Sequence, residues 1–148
     1  MSELVDQAMV LAARAHAGQL DKAGAPYIEH PGRVAVHVTR HALPEDEEAA
    51  QAVAWLHDVV EDTPMTLAEL ADQFPPEIIA AVDAITRRAE EDPEAYYQRV
   101  RANRIARAVK HADLDDNTDP ARTALLDPGT RERLATKYAH ARTVLSGN

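Results

Sequence analysis

The sequence predicts a single all-α domain, and three observations lead to this prediction. Hydrophobic residues make up 45% of the chain but aromatic residues only 4%, so the core must consist mainly of alanine, valine, leucine and isoleucine. Such a core suits packed helices better than a β-sandwich. No stretch alternates apolar and polar residues over the length of a strand. Prolines punctuate the chain as helix ends would, and no repeat or linker divides it, so we expect one domain over residues 1–148.

The composition also excludes several classes of protein. The chain has no cysteine, which rules out disulfides, thiolate metal sites and thiol nucleophiles. Its net charge of -9 argues against nucleic acid as a partner, although a metal ion and a few local cations can still hold a small phosphorylated ligand. The apolar runs fall short of the ~20 residues that a membrane span needs, and the polar, acidic start is unlike a signal peptide. We therefore expect a cytoplasmic protein with neither nucleic acid nor membrane as its partner.

The first helices are predicted from their start and stop residues. Ser2 can cap a first helix that Gly18 ends. A loop over residues 19–26 follows, because this stretch is rich in turn residues. Pro31 is suited to the start of a second helix.

The rest of the chain predicts further helices. Pro44 opens a third helix whose acidic first turn complements the helix dipole, and Thr63-Pro64 ends it. Additional helices are expected at about 66–72, 76–89, 94–112, 120–126 and 130–145, which makes about eight in all. The stretch after about residue 120 either packs across the domain or supplies a dimer contact.

The third predicted helix carries four ionisable side chains within six residues, namely His57, Asp58, Glu61 and Asp62. Spacings of three and four residues place them on one helix surface. Carboxylates this close repel one another, and a divalent cation is the simplest compensation. The alternative is a solvated helix end, with His57 bonded to a backbone carbonyl.

Two further segments contain candidate metal ligands. Tyr27-Ile28-Glu29-His30-Pro31 places a histidine just before a predicted helix start, where its ring could turn inward. Val109 to Asn117 places Asp113 at the end of an apolar helix. His30, His57, Asp58 and Asp113 together would offer two imidazoles and two carboxylates. Such a set suits Mn²⁺, Fe²⁺ or Zn²⁺ and leaves positions open for water and a substrate oxygen.

Four segments, in this order and spacing, resemble the HD-domain alarmone hydrolases, both the hydrolase half of RelA/SpoT-type proteins and the stand-alone small alarmone hydrolases. They are AHAGQLDKAGAPYIEHP (15–31), AWLHDVVEDT (54–63), AVDAIT (81–86) and VKHADLDDN (109–117). The resemblance spans roughly residues 4–120 and implies a compact HD-domain helical bundle. It also implies a Mn²⁺-dependent hydrolase that releases pyrophosphate from the 3′ position of guanosine tetra- or pentaphosphate.

The resemblance implies roles for individual residues. In this family the residues at the positions of His30, His57, Asp58 and Asp113 bind Mn²⁺. Glu61 and Asp62 lie at the positions of a Glu-Asp pair beside the metal, which positions or deprotonates the attacking water. This agrees with general chemistry, since a carboxylate within hydrogen-bond reach can take a proton from a metal-activated water.

Four more residues are candidates for contact with the substrate. Lys22 matches a family lysine in a substrate-contacting loop, and Asn117 matches an asparagine near the nucleoside. Arg87 and Tyr138 could reach a phosphate and a base, respectively. The alternatives are a solvated lysine and arginine, a helix cap at Asn117 and a tyrosine at the edge of the core.

The chain departs from the family pattern at two places. Asp21 precedes Lys22 where the family often has arginine, and Leu114-Asp115-Asp116-Asn117 stands where an Arg-Leu-His-Asn run is frequent. We expect both changes to make the rim of the pocket more acidic, which leaves the identity of the nucleotide open. Two alternatives to alarmone hydrolysis are an HD phosphohydrolase for another small nucleotide and a catalytically weak nucleotide-binding regulatory module.

Overall fold

The computed structural model describes residues 2–147, and helices dominate it. Within this range the chain forms ten α-helices and two short 3-10 turns, and its only β-type pairing is an isolated bridge between Leu20 and Pro26. The prediction of an all-α fold is confirmed. Each helix between residues 2 and 147 is too short or too polar to span a bilayer.

The helices follow one another with short connections. In chain order they are α1 (Glu3–Ala15), α2 (Glu29–His37), α3 (Glu47–Leu56), α4 (Val59–Asp62), α5 (Leu67–Ala71), α6 (Pro76–Ile85), α7 (Pro93–Ala102), α8 (Arg104–Asn117), α9 (Pro120–Thr123) and α10 (Pro128–Leu145). The 3-10 turns are Val38–Arg40 and Pro44–Asp46.

The helix starts follow the chemistry of their first residues. The side chain of Ser2 accepts a hydrogen bond from the backbone N–H of Val5 and caps α1, as predicted. α2 begins at Glu29, two residues earlier than the expected start at Pro31. Pro31 is tolerated there because the first N–H groups of a helix have no partner within the helix. His30 therefore lies inside the first turn of α2.

The third predicted helix is broken in the structure. α3 ends at Leu56, and α4 resumes at Val59 after a turn formed by His57 and Asp58. The Nδ1 atom of His57 lies 2.6 Å from the carbonyl oxygen of Ala54, which a continuing helix would bond to the N–H of Asp58. Side-chain bonds of this kind compete with the helix ladder. The expectation of one continuous helix from Pro44 to Thr63 is wrong.

The stretch expected as one helix over 94–112 is also divided. α7 ends at Ala102, and the side chain of Asn103 caps α8 by accepting from the N–H of Ala106. α8 continues to Asn117, so that Asp113 lies inside this helix and not at its end. α6 stops at Ile85, short of the expected residue 89, because Thr86 is extended.

The core lies around α8, which packs against α2, α3, α6, α7 and α10. Small and branched aliphatic residues fill it, as the composition predicts. The largest fully buried side chains include Leu56, Leu70, Ile78, Leu114 and Leu145. α2, the α3–α4 turn and α8 meet on one side of this core, and the candidate site lies there.

Candidate metal centre and substrate pocket

Three helical segments bring the four predicted metal ligands together. His30 comes from the first turn of α2, His57 and Asp58 from the α3–α4 turn, and Asp113 from α8. The Nε2 atom of His30 lies 2.9 Å from Oδ1 of Asp113 and 3.8 Å from Oδ2 of Asp58. The Nε2 atom of His57 lies 3.1 Å from Oδ2 of Asp58 and 3.4 Å from Oδ1 of Asp113. Two imidazoles and two carboxylates thus face one another across a few ångströms.

The chemistry of these donors fits a divalent cation. Within the described range, the buried Nε2 of His57 makes no hydrogen bond of favourable geometry, although Oδ2 of Asp58 lies 3.1 Å away. Its Nδ1 is occupied by the carbonyl of Ala54. The backbone bond that the sequence offered as an alternative to a metal site is therefore compatible with one, since it turns Nε2 toward the carboxylates. Ligand atoms of His30, His57 and Asp113 all lie within 4.8 Å of one another. A metal ion would give the unpartnered nitrogen its missing contact.

Opposite charges shift the pKa values of the cluster. Burial lowers the pKa of His30, but its hydrogen bonds to Asp113 and Asp116 outweigh this effect and raise it to about 9. Burial raises the pKa of Asp58, yet the nearby charge of His57 brings it to about 2. Burial likewise disfavours the ionised form of Asp113, but Lys110 and the two histidines hold its pKa well below its usual range. In the metal-free protein, protons on the imidazoles of His30 and His57 supply positive charge beside the carboxylates. A bound cation would replace these protons.

Glu61 and Asp62, the proposed water activators, lie on α4 beside the ligands. Burial and the neighbouring carboxylate of Asp58 raise the pKa of both residues. Oε1 of Glu61 accepts a hydrogen bond of 2.9 Å from the backbone N–H of Arg87. Asp58, Glu61 and Asp62 form a second group of carboxylates that could hold a cation. These carboxylates can therefore accept a proton near neutral pH more readily than solvated ones.

A cavity of about 1060 Å³ opens beside the ligands. All four predicted substrate-contacting residues line it, namely Lys22, Arg87, Asn117 and Tyr138. Arg87 also lies over the ring of Tyr96, at 5.6 Å from its centroid. Asn117, the last residue of α8, donates from Nδ2 to Oδ1 of Asp113 at 3.3 Å. The volume is that of a site for a nucleotide-sized ligand.

The expectation of a more acidic pocket rim is wrong for Asp115 and Asp116, which are not among the residues that line the cavity. Asp116 is completely buried and is bonded to His30, Arg33 and Arg122. Asp21 does line the cavity, but its Oδ1 accepts from the N–H groups of Ala23 and Ala25 and so shapes the loop that contains Lys22. The aspartates that depart from the family pattern therefore bond mainly to other groups of the protein.

Sequence reasoning missed several residues of the site. The hydroxyl of Tyr27 donates to Oδ2 of Asp58 at 2.6 Å, and Nζ of Lys110 donates to Oδ2 of Asp113 at 3.0 Å. The three-residue spacing of Lys110 and Asp113 on a helix is a signal that could have identified this pair. The contact of Asp116 with His30 joins residues 86 positions apart and has no local signal.

A family model and several known proteins match this chain in sequence. Residues 8–119 match the family model described as HD domain. The chain is 35% identical over 135 residues to a guanosine-3′,5′-bis(diphosphate) 3′-pyrophosphohydrolase of Haemophilus influenzae, an alignment of 85% of this chain and 20% of that protein. It is 33% identical over 138 residues to the bifunctional (p)ppGpp synthase/hydrolase SpoT of Escherichia coli, with 87% and 19% covered. The chain therefore spans about a fifth of the length of these relatives.

One solved structure shares the fold over nearly the whole chain. It is described as a metazoan orthologue of SpoT that hydrolyses ppGpp and plays a role in starvation responses. It aligns with a TM-score of 0.79 at 22% identity and covers 99% of this chain and 88% of its own. The helical arrangement described above is therefore an established one.

Proposed function

Because this chain belongs to the HD domain family, we propose that it is a metal-dependent hydrolase that removes pyrophosphate from the 3′ position of guanosine tetra- or pentaphosphate. The observation that carries this proposal is the convergence of His30, His57, Asp58 and Asp113 at the side of a nucleotide-sized cavity. Two relatives whose names include hydrolysis of such guanosine alarmones support the choice of substrate.

The proposed metal is Mn²⁺, held by His30, His57, Asp58 and Asp113. A mixed set of imidazoles and carboxylates suits Mn²⁺, as well as Fe²⁺ or Zn²⁺. Such an ion, when bound, polarises a phosphoryl oxygen and lowers the pKa of water. Tyr27 supports the set because its hydroxyl donates to Asp58 and fixes the orientation of that carboxylate.

Proton transfer is assigned to Glu61 and Asp62. Their raised pKa values make them better proton acceptors than solvated carboxylates. The backbone N–H of Arg87 holds Glu61 in place. One of the two carboxylates takes a proton from the attacking water, and the other orients this water molecule.

Basic side chains lie beside acidic ones in the cavity where the substrate is proposed to bind. The cavity is lined by six basic side chains: Lys22, Arg33, Arg87, Lys110, Arg122 and Lys137. Leu125, Leu126, Leu134 and Tyr138 line it as well. We assign phosphate binding to Lys22 and Arg87, the nucleoside to Asn117 and stacking of the base to Tyr138.

The proposal is tested by incubating the protein with Mn²⁺ and a panel of 3′-pyrophosphorylated and ordinary nucleotides, with products separated by ion-exchange chromatography. We expect pyrophosphate together with GDP or GTP from the alarmones, and no turnover after removal of the metal by a chelator. Asp58→Asn should reduce turnover to background, whereas Asp72→Asn, which changes an exposed residue outside the cavity, should leave it unchanged.

Other outcomes contradict parts of the proposal. Release of single phosphate would contradict pyrophosphohydrolysis. Turnover of a different nucleotide alone would contradict the guanosine assignment. Nucleotide binding without turnover would identify a regulatory module, and full activity of the Asp58→Asn variant would contradict the metal centre.

A further inference from the structure

Asp116 is a completely buried carboxylate that contacts a proposed metal ligand. Its Oδ2 lies 2.6 Å from Nδ1 of His30, and its side chain has no exposed surface. Nε2, the other nitrogen of the same ring, faces Asp113 and Asp58. Asp116 thus contacts Nδ1 of His30, while Nε2 of the same ring faces the other proposed metal ligands.

Two arginines compensate the charge of Asp116. Nε of Arg33 donates to its Oδ1 at 2.7 Å, and Nη1 of Arg122 donates to its Oδ2 at 2.9 Å. A buried carboxylate without such partners would be strongly disfavoured. The two guanidinium groups belong to α2 and α9, so Asp116 ties these helices to α8 at the level of His30.

The hydrogen bond to Asp116 decides which nitrogen of His30 can bind a metal. A carboxylate that accepts from Nδ1–H keeps the proton on this atom and leaves the lone pair on Nε2. Ligating histidines commonly have such a carboxylate partner, which also makes the ring a better donor. His57 has the same arrangement with a backbone carbonyl, since its Nδ1 lies against the oxygen of Ala54.

We propose that Asp116, held by Arg33 and Arg122, is the residue that positions His30 and fixes its tautomer for metal binding. The proposal rests on the metal centre proposed above but not on the identity of the substrate. It gives a function to a residue that departs from the family's frequent Arg-Leu-His-Asn run. Asp116 acts through His30 and does not touch the substrate, because it does not line the cavity.

The test compares Asp116→Asn with Asp115→Asn, which makes the same change one residue earlier in α8. Asp115 is bonded to His41 and Arg142, and within residues 2–147 it forms neither a hydrogen bond nor a salt bridge with His30, so it is a control for lost charge. The Kd for Mn²⁺ is measured by calorimetry without nucleotide, and circular dichroism checks the folding of both variants. We expect Asp116→Asn to weaken Mn²⁺ binding about 10- to 100-fold and Asp115→Asn to change it less than about twofold.

A second measurement needs no variant. Nitrogen-15 NMR of the histidines in the Zn²⁺-loaded wild-type protein should show His30 protonated at Nδ1 and without a proton at Nε2. The reverse tautomer would overturn the proposal even if Asp116→Asn failed to fold. An unchanged Kd in Asp116→Asn, or an equal loss in both variants, would also overturn it. A protein that binds Mn²⁺ as expected but does not hydrolyse alarmones would contradict only the proposed function.

Discussion

At Asp113 three side chains that can carry positive charge converge on one buried carboxylate. Lys110 lies 3.0 Å away, and the rings of His30 and His57 lie at 2.9 and 3.4 Å. Each group would be costly to bury alone, but they compensate one another. The cluster is therefore held together by its own charges before any metal binds, and a cation must displace protons to enter.

The raised pKa of His30 predicts how the stability of the metal-free protein depends on pH. The pKa is about 9 in the folded protein and 6.5 ordinarily. Between these values the folded state holds a proton that the unfolded state has lost. The stabilisation is therefore complete below pH 6.5 and disappears as the pH rises through 9.

This pH dependence is measured by urea unfolding in the presence of a chelator at pH 6.0, 7.5 and 9.5. We expect the free energy of unfolding to fall as the pH rises, with a slope of up to about 1.4 kcal/mol per pH unit for each proton held. In a His30→Gln variant this slope should be smaller by the contribution of about one proton, that is by up to about 1.4 kcal/mol per pH unit. A free energy of unfolding that increases across this interval would contradict the arrangement of the cluster.

Among the elements, the α3–α4 turn shows best what the sequence could predict and what it could not. The cap at Ser2 and the prolines that are the first residues of several helices predict most helix starts, because these signals act locally. The helical pattern of apolar residues continues on both sides of His57, so the sequence gives no signal of the break between α3 and α4. The break depends on the His57 ring, which bonds the carbonyl of Ala54, and it turns His57 toward Asp113 of α8.

The membership of the metal cluster could not be derived from spacing alone. His30 and Asp113 are 83 positions apart, and only the fold brings them together. The sequence offered both residues as candidate ligands, and the resemblance to a known family, which compares the order and spacing of several segments, implied a metal-binding role for them. The resemblance gave no role to Asp116, since this residue departs from the family pattern.

The end of α3 offers a prediction at the scale of the element. Leu56 is its last residue, is completely buried and immediately precedes His57. Leu56→Ala should lower the free energy of unfolding by about 2–5 kcal/mol, because it leaves a cavity where α3 packs. Val36→Ala on α2, at a position that is 71% exposed, should change it by less than about 0.5 kcal/mol. Thermal and urea unfolding measure both, and equal effects of the two changes would contradict this packing.

For the whole molecule, the distribution of charge is more informative than its sum. A net charge of -9 argues against nucleic acid as a partner, yet lysine and arginine side chains line the cavity beside the ligands. α8 carries Lys110, Asp113 and Asn117 through the centre of the molecule and so connects the core to the site. Of the basic side chains that line the cavity, Lys22, Arg87 and Lys137 have no salt-bridge partner among the described residues, whereas the others are bonded to Asp113 or Asp116. We propose that these three cations meet the phosphorylated ligand.

We propose that one metal ion per chain binds to His30, His57, Asp58 and Asp113. The most direct measurement is anomalous diffraction from crystals of the protein grown with Mn²⁺, recorded at the manganese absorption edge. We expect one peak per chain, in contact with the Nε2 atoms of both histidines and with carboxylate oxygens of Asp58 and Asp113. A peak that lies only among Asp58, Glu61 and Asp62, or no peak at saturating Mn²⁺, would contradict this metal site.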